Sequence, residues 1–378
     1  MIQHPVALLA FMFLVVAASR WLEDHVPFIK KLSSAVVCTL FGMLFGNIGL
    51  MPQAGVIHTA MGDYAVPYSI ALIILSSSLR DFRSAGGALL ACFCLACLGS
   101  VAGAVAASWL FTSILGPETW KLAGMFTGAF TGGGINFVAV GRELQTSPSL
   151  FSAALVVDNL STVPYILAQM ALVGLLARVF PAPEAEAAAT TADTTADDPF
   201  RYWTQATVTL TDLAVLGAIP LLFVWAGRML GAWWPSVPQV LWLTTMAIAV
   251  AQIPAIQRLK GAPVIAYFAL HLFFLSIGSA SRMSDVATAG PMLAIYMVVI
   301  IAVHVLVAYT LAWAMGLGLA NITMASQATV GGPGSALALG MAMRWSHLVT
   351  PGIIVGILGY SVGNYLGFFC SYLVRTWL

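Results

Sequence analysis

One acidic residue lies deep inside an apolar stretch of this chain, with oxygen-bearing side chains close to it. Asp158 stands in the run Leu-Val-Val-Asp-Asn-Leu-Ser-Thr over 155–162. A carboxylate inside a membrane is costly, and such residues usually serve ion pathways or substrate sites. Asn159 and Thr162 follow one residue and one helical turn later. We expect Asp158, Asn159 and Thr162 to bind a coupling ion, sodium or a proton; the alternative is an acid that stabilises a helix end.

Two glycine-rich segments interrupt apolar stretches that are otherwise long enough to cross a membrane. The first reads Thr-Gly-Gly-Gly-Ile-Asn over 131–136, and the second, 199 residues later, reads Val-Gly-Gly-Pro-Gly-Ser over 330–335. A broken helix leaves backbone groups unpaired, which a membrane tolerates only within protein or beside a polar cavity. Interrupted helices at corresponding places in two halves point to a transporter's binding site. The alternative is close helix packing, for which glycines spaced four apart, as at 352–356 and 359–363, are also suited.

The polar residues of these segments suit a small anionic ligand. Half-helix N-termini present N–H groups and a partial positive charge, both of which favour an anion. The predicted substrate-binding residues are Thr131, Gly132, Gly133, Gly134, Asn136, Thr329, Gly331, Gly332, Gly334 and Ser335. Gln327 and Asn364 add amide groups, and we expect them to take part in binding the coupling ion. His271 and His304 also lie in apolar stretches; they could relay protons or simply bond to a neighbouring helix.

The composition restricts the class of protein. Of 378 residues, 60% are hydrophobic and only 8% are charged, whereas soluble domains carry about 25% charged residues. The apolar residues fall into long blocks, which predicts an all-α integral membrane protein. A net charge of +1 gives no reason to expect nucleic-acid binding. The sequence carries no nucleophile or metal-protease motif and no phosphate-binding loop, so we expect neither an enzyme nor a cofactor or metal, and the partners are the lipid bilayer and the transported solute or ion.

The chain divides into two similar halves. We predict a first transmembrane repeat over 1–180, an acidic linker rich in Ala and Thr over 181–203, and a second repeat over 204–378. At an offset of 199, Arg83 corresponds to Arg282 and Gly141 to Gly340. The candidate spans are 5–20, 33–50, 63–80, 86–114, 120–142, 149–179, 205–232, 238–256, 262–280, 288–316, 320–342 and 348–374. Six spans in each half make the repeats parallel, unless one segment is not a full crossing, in which case they are inverted.

The positive charges of the first half predict an orientation. Cytoplasmic loops carry an excess of Lys and Arg, and six such residues fall in the first, third and fifth loops. They are Arg20, Lys30, Lys31, Arg80, Arg83 and Arg142. We therefore expect the N-terminus and the acidic linker outside, in a bacterial inner membrane. The sequence is compatible with a homodimer and does not specify one.

Three features together resemble a known family of membrane proteins. They are the segment from Thr131 to Val140, the Asp158–Asn159 pair and the Gly-Gly-Pro-Gly run over 331–334. They look like the family called domain of unknown function 819, over nearly the whole chain. That family resembles the wider group of cation:proton antiporters and anion transporters. The resemblance implies inverted repeats, crossed broken helices, an acid on the helix after the first break and elevator-type motion.

The residues and the resemblance lead to one leading hypothesis of function and one rival. We expect a cation-coupled secondary transporter, driven by sodium or protons, for a small anionic organic solute. In that case the two breaks form the site and Asp158 binds the coupling ion. In the rival hypothesis the protein is a monovalent cation/proton antiporter, and Asp158 is itself the site of the transported ion.

Overall fold

The computed structural model describes residues 2–26, 29, 33–76, 85–180 and 208–377, except for the side chains of Ser33 and Val163. The predicted linker over 181–203 lies outside the described residues. So do four of the six charges used for the orientation, namely Lys30, Lys31, Arg80 and Arg83.

Every regular element in the described part of the chain is helical, which confirms the prediction of an all-α integral membrane protein. The first half contains α1 Pro5–His25, α2 Ser33–Asn47, α3 Val56–Ala60, α4 Val66–Leu75, α5 Gly87–Leu115, α6 Thr119–Gly132, α7 Gly134–Glu143 and α8 Pro148–Leu176. The second contains α9 Leu210–Trp233, α10 Gln239–Ala251, α11 Pro254–Gln257, α12 Ala262–Ser279, α13 Met283–Ala314, α14 Leu319–Ala342 and α15 Ser346–Arg375. A π-helical turn over Met61–Ala65 joins α3 to α4.

Not every predicted span is long enough to cross a membrane. Among the described residues, α1, α5, α9, α12, α13 and α15 have the required length and apolar character, and α8, which is bent by 40° where 148–162 meets 164–176, is a seventh. The helices α2 and α10 have 15 and 13 residues. A crossing needs about 20 helical residues, so α10 is too short to cross as a straight helix, whereas α2 borders residues outside the described part of the chain. The twelve candidate spans stay a prediction.

The chain forms two compact units, and each unit takes segments from both predicted halves. The first unit draws on 1–76, 141–160 and 207–295, and the second on 77–140, 161–206 and 296–378. Three helices, α7, α8 and α13, therefore begin in one unit and end in the other. The two-repeat division at 180 and 204 stays a prediction.

Small residues and a polar cluster organise the first unit. A side chain at Gly42 or Gly46 of α2 would collide with the backbone of α12 at Leu275 or Ser279, so these helices pack with their backbones in close contact. At the π-helical turn, Asp63 pairs with Arg142. Arg228 lies 4.5 Å from the ring centre of Tyr64, and its guanidinium donates to the Asp63 carbonyl at 2.9 Å.

The second unit contains both interrupted helices. Here α6 and α14 each pack against α15 and against α5. The backbone of α5 at Gly99 and Gly103 meets the backbone of α13 at His304 and Ile300, where any larger residue would collide. The two interrupted helices therefore share the same two neighbours, α5 and α15.

Candidate functional site

The first break is centred on Gly133. Helix α6 ends at Gly132, Gly133 has φ +78° and ψ −176°, and α7 begins at Gly134. Such backbone angles are essentially restricted to glycine. Phe130 also leaves helical geometry, at φ −87° and ψ 19°. The last turn of α6 is thus distorted, and its carbonyl groups lose their regular helical partners.

The second break repeats the geometry of the first. Gly332 has φ +75° and ψ −177°, within a few degrees of Gly133, and Pro333 follows it. Because proline has no N–H, it cannot restore the hydrogen bond that the break removes. The sequence predicted that each interruption extends over six residues. In the structure each is shorter, because the residues around Gly133 and Gly332, apart from Phe130, remain helical.

Both breaks lie against the same helix, α15, within one turn of each other. A side chain at Gly359 would collide with the Thr131 carbonyl and with Gly132 at the first break. A side chain at Gly356 would lie 2.9 Å from the nitrogen of Pro333 at the second break. Since three residues rise by about 4.5 Å along a helix, α15 brings the two breaks to neighbouring levels.

Asn136 ties the first break to α15. Its Nδ2 donates to the Tyr360 carbonyl at 3.0 Å and to Oδ1 of Asn364 at 2.9 Å. Because a carbonyl can only accept, the contact with Tyr360 identifies this atom as the nitrogen. The opposite atom, Oδ1, is buried against Gly132 and has no hydrogen-bond partner among the described residues. The amide therefore has its donors occupied and one acceptor unused.

Gln327 is a second buried amide, near the second break, but it makes no tie to another helix among the described residues. It is fully buried, and neither Oε1 nor Nε2 has a hydrogen-bond partner in the described part of the chain. The Ser335 hydroxyl lies 2.9 Å from the Gly332 carbonyl and 3.2 Å from the Gln327 carbonyl. An unpaired buried amide costs about 1–3 kcal/mol, which suggests that this group serves a ligand.

The other predicted site residues lie in different places. Asp158 is 9% exposed on the N-terminal part of α8 and belongs to the first unit, as does Asn159, whose amide donates to its own helix at Leu155. Thr162 belongs to the second unit and is partly exposed. Thr329 is buried, and its hydroxyl donates to the Ser326 carbonyl at 2.9 Å. The structure thus brings together Asn136, Asn364 and the glycines of both breaks.

The two histidines occupy different units. His271 belongs to the first, where its ring bonds to the Ser34 hydroxyl at 2.8 Å and to the Tyr267 carbonyl at 2.6 Å. His304 belongs to the second and is fully buried, bonded to hydroxyl groups at both ring nitrogens. The two rings therefore have different environments, and only that of His304 connects to the helices that carry the breaks.

Sequence reasoning missed the central part that α15 plays. Tyr360 was not predicted as a site residue, although its carbonyl orients Asn136. The glycines at 356, 359 and 363 were interpreted as a packing pattern, and their spacing was the available signal. They do allow close packing, and the surface that they pack against consists of the two breaks.

Replacing Gly133 with alanine tests the backbone of the first break. A Cβ at this φ and ψ costs about 1–3 kcal/mol, so the Gly133→Ala variant is expected to melt several degrees below wild type. Gly134→Ala is the matched control, because that position is helical and has open space around it. The measurement is thermal unfolding of both purified variants; equal melting temperatures for the two variants would contradict the strained geometry.

Comparison with known proteins identifies the family. The model of the family described as "Protein of unknown function (DUF819)" matches residues 10–377. The "Uncharacterized membrane protein YjcL" of Bacillus subtilis (strain 168) is 26% identical over 368 residues, which cover 93% of this chain and 92% of that protein. The family match begins within α1, extends through the end of α15 and includes both breaks. With its apolar helices, this chain belongs to the DUF819 family of membrane proteins.

Proposed function

We propose that this protein is a cation-coupled secondary transporter of a small anionic organic solute, and that its two breaks form the binding site. One observation carries the proposal: two helices are broken with the same backbone geometry and rest within one turn of each other on α15. Each break has a buried amide beside it with unmet hydrogen-bonding capacity. Irregular backbone at membrane depth is expected where protein or a cavity surrounds it, which is where transporters bind their substrates.

The first break suits a cation. Among the described residues, Oδ1 is the group of Asn136 without a partner, because its nitrogen is bonded to α15. The Gly359 carbonyl approaches the same side of Gly132 as this oxygen. Neutral oxygens are ligands for hard cations and cannot take up a proton near neutral pH. We therefore assign sodium, rather than a proton, to the first break.

The anion has fewer donors at the first break than the sequence suggested. The N–H of Gly133 donates to the Ala129 carbonyl at 2.6 Å, so it does not face a ligand. The Asn136 amide cannot orient an anion either, since its nitrogen is already bonded. The donors that suit an anion are the N–H of Gly134, at the start of α7, and Nε2 of Gln327, which has no partner among the described residues.

Elevator-type motion is the mechanism that we propose. Both breaks belong to the second unit, so a rigid displacement of that unit would carry both of them. Three helices continue from one unit into the other, and α8 is bent by 40° close to the residue where it changes units. Bends of this kind concentrate at proline, and Pro164 stands at this one. Such helices could serve as the flexible connections that alternating access requires.

The second candidate is a monovalent cation/proton antiporter. The specific observation in its favour is the buried carboxyl group of Asp158, which is 9% exposed on a candidate membrane span. In that function Asp158 would exchange a proton for a metal cation and no organic solute would bind. For either candidate we propose a non-enzymatic protein of a bacterial inner membrane, with the N-terminus outside, that can form a homodimer.

A ligand-stability screen separates the two candidates. Purified protein is heated in sodium chloride or choline chloride at several pH values, with and without a panel of mono- and dicarboxylates. We expect sodium to raise the melting temperature and at least one carboxylate to raise it further only when sodium is present, because linkage between two ligands is reciprocal. Stabilisation by sodium alone, lost at low pH, would favour the antiporter. No response to any cation would contradict both functions.

A further inference from the structure

A buried chain of hydrogen bonds runs from the first break to the helix that carries the second. Ser100 on α5 lies 2.5 Å from the Phe130 carbonyl in the distorted turn of α6 and 3.0 Å from Nδ1 of His304. On the other side of the ring, Nε2 of His304 lies 2.8 Å from the Ser326 hydroxyl on α14. The side chains of Ser100, His304 and Ser326 are fully buried.

The chain continues from Ser326 onto α8 and α13. The Ser326 oxygen lies 2.6 Å from the Tyr165 hydroxyl and 3.0 Å from Nε2 of Gln169. The hydroxyl of Tyr309 in turn donates to Oε1 of Gln169. A single serine hydroxyl therefore meets three polar side chains from two other helices, which makes Ser326 the junction of the network.

The chemistry of the partners fixes the direction of every bond. The Phe130 carbonyl can only accept, so the Ser100 hydroxyl donates to it and its oxygen accepts from His304. This places the hydrogen of the neutral ring on Nδ1 and leaves Nε2 as an acceptor for Ser326. The Ser326 oxygen then accepts from Tyr165 and Gln169. The Ser326 hydroxyl thus uses its one donor and both of its acceptor positions.

The two ends of this chain reach the two breaks. Phe130 precedes Gly133 by three residues, and Ser326 directly precedes Gln327, whose unpaired amide lies beside the second break. A shift of α6 at the first break must therefore move the Phe130 carbonyl, and the ring of His304 passes that displacement to α14. Because buried polar networks of this kind are costly when partly satisfied, the arrangement favours one relative position of the two helices.

We propose that His304 is a positioning residue that couples the two breaks. As the neutral tautomer with hydrogen on Nδ1, it fixes α14 relative to the distorted turn of α6. A ligand at one break then changes the affinity of the other. The coupling part of this inference rests on the transport function proposed above, whereas the positioning part does not.

Two substitutions separate the donor-and-acceptor role of the ring from its bulk. His304→Leu keeps an apolar side chain of moderate size and removes both hydrogen bonds. His304→Gln supplies an amide N–H for Ser100 and an amide oxygen for Ser326, so it preserves the direction of the chain. His271→Leu is the matched control, because it removes a histidine that bonds to Ser34 and Tyr267 in the first unit.

Hydrogen–deuterium exchange tests the positioning role without any ligand. We expect His304→Leu to speed exchange in peptides covering both 126–136 and 323–335, and His304→Gln and His271→Leu to leave them as in wild type. Wild-type exchange in His304→Leu, or equal acceleration in His304→Gln, would overturn the assignment. If His304→Leu does not fold, Ser100→Ala takes its place with the same expectation, because it removes the hydroxyl that links the Phe130 carbonyl to Nδ1 of His304 and leaves the contact between His304 and Ser326.

A double-mutant cycle tests the coupling role, with sodium as the probe. We expect Gln327→Ala at the second break to weaken sodium-dependent stabilisation about fivefold or more in the wild-type background. The same effect of Gln327→Ala should be seen in the His304→Gln background and should be absent in the His304→Leu background. Persistence beside His304→Leu would overturn the coupling. If sodium does not raise the melting temperature of the wild-type protein, the transport proposal is wrong. The exchange experiment then tests the positioning role by itself.

Discussion

Replacing Asn136 with alanine is expected to abolish sodium-dependent stabilisation and transport. The substitution removes Oδ1, the unused acceptor that we assign to sodium, and both hydrogen bonds that join α7 to Tyr360 and Asn364 on α15. If the contact between the Oδ1 dipole and sodium is comparable in strength to a hydrogen bond with a charged group, about 1.5–3 kcal/mol, its loss should raise half-saturating sodium by about ten- to a hundredfold. The measurement is the melting temperature of the purified variant across a sodium titration.

The control for this substitution is Asn47→Ala. Asn47 also joins distant parts of the chain through its Nδ2, which donates to the Met43 carbonyl of its own helix at 2.7 Å and to the Ser281 carbonyl in the turn after α12 at 2.9 Å. It belongs to the first unit, away from both breaks in the chain, and its loss should lower stability while the sodium response stays as in wild type. If Asn136→Ala responds to sodium as the control does, Asn136 is a structural residue and the cation site at the first break is wrong.

Asp158→Asn is expected to remove the cation dependence of transport while the protein still folds, because we propose Asp158, in the first unit, as a further coupling-ion residue in addition to the sodium site assigned to the first break. The side chain is buried on a candidate membrane span, and an acid in that environment is retained for a function that needs its charge or its proton. The substitution changes the charge at nearly constant volume. The measurement is uptake into proteoliposomes driven by a sodium gradient or by a pH gradient, with melting temperature as the check on folding.

Asp24→Asn is the matched control for that experiment. Asp24 also lies in a membrane-span candidate, α1, but its side chain is 59% exposed near the helix end, in a pair with Arg20. Removing its charge should leave the ion dependence of uptake unchanged. Unchanged ion dependence in Asp158→Asn would make Asp158 a structural acid. A change with the pH gradient alone would favour the antiporter over the solute transporter.

The sequence predicted the helical elements and the places where two of them break. The apolar blocks were sufficient for the helices, because a chain with so few charges can satisfy its backbone in a membrane only internally. The breaks at Gly133 and Gly332 were visible because three glycines, or glycines with proline, oppose a helix. Residue types alone did not predict that Gly133 and Gly332 share the same φ and ψ angles, although the two glycines are separated by the 199-residue offset of the repeat.

What the sequence did not reveal depends on contacts between distant residues. Asn136 and Asn364 are separated by 228 positions, and no local pattern links them. The orientation of the Asn136 amide follows only from the Tyr360 carbonyl opposite it. Because that orientation leaves an oxygen rather than an N–H without a partner among the described residues, we propose a cation beside Asn136. The sequence also did not indicate that Ser100 links the first break to His304. Serine is common where transmembrane helices pack closely, so its presence there gives no specific signal.

Direct binding of radioactive sodium to the purified protein tests the central claim most directly. We expect saturable binding to wild type and to Gly134→Ala, which changes a helical position with open space around it. Binding should be reduced to background in Asn136→Ala, with Asn47→Ala behaving as wild type. Saturable binding that survives in Asn136→Ala, or wild-type protein that binds no sodium above background, would contradict a cation site at the first break.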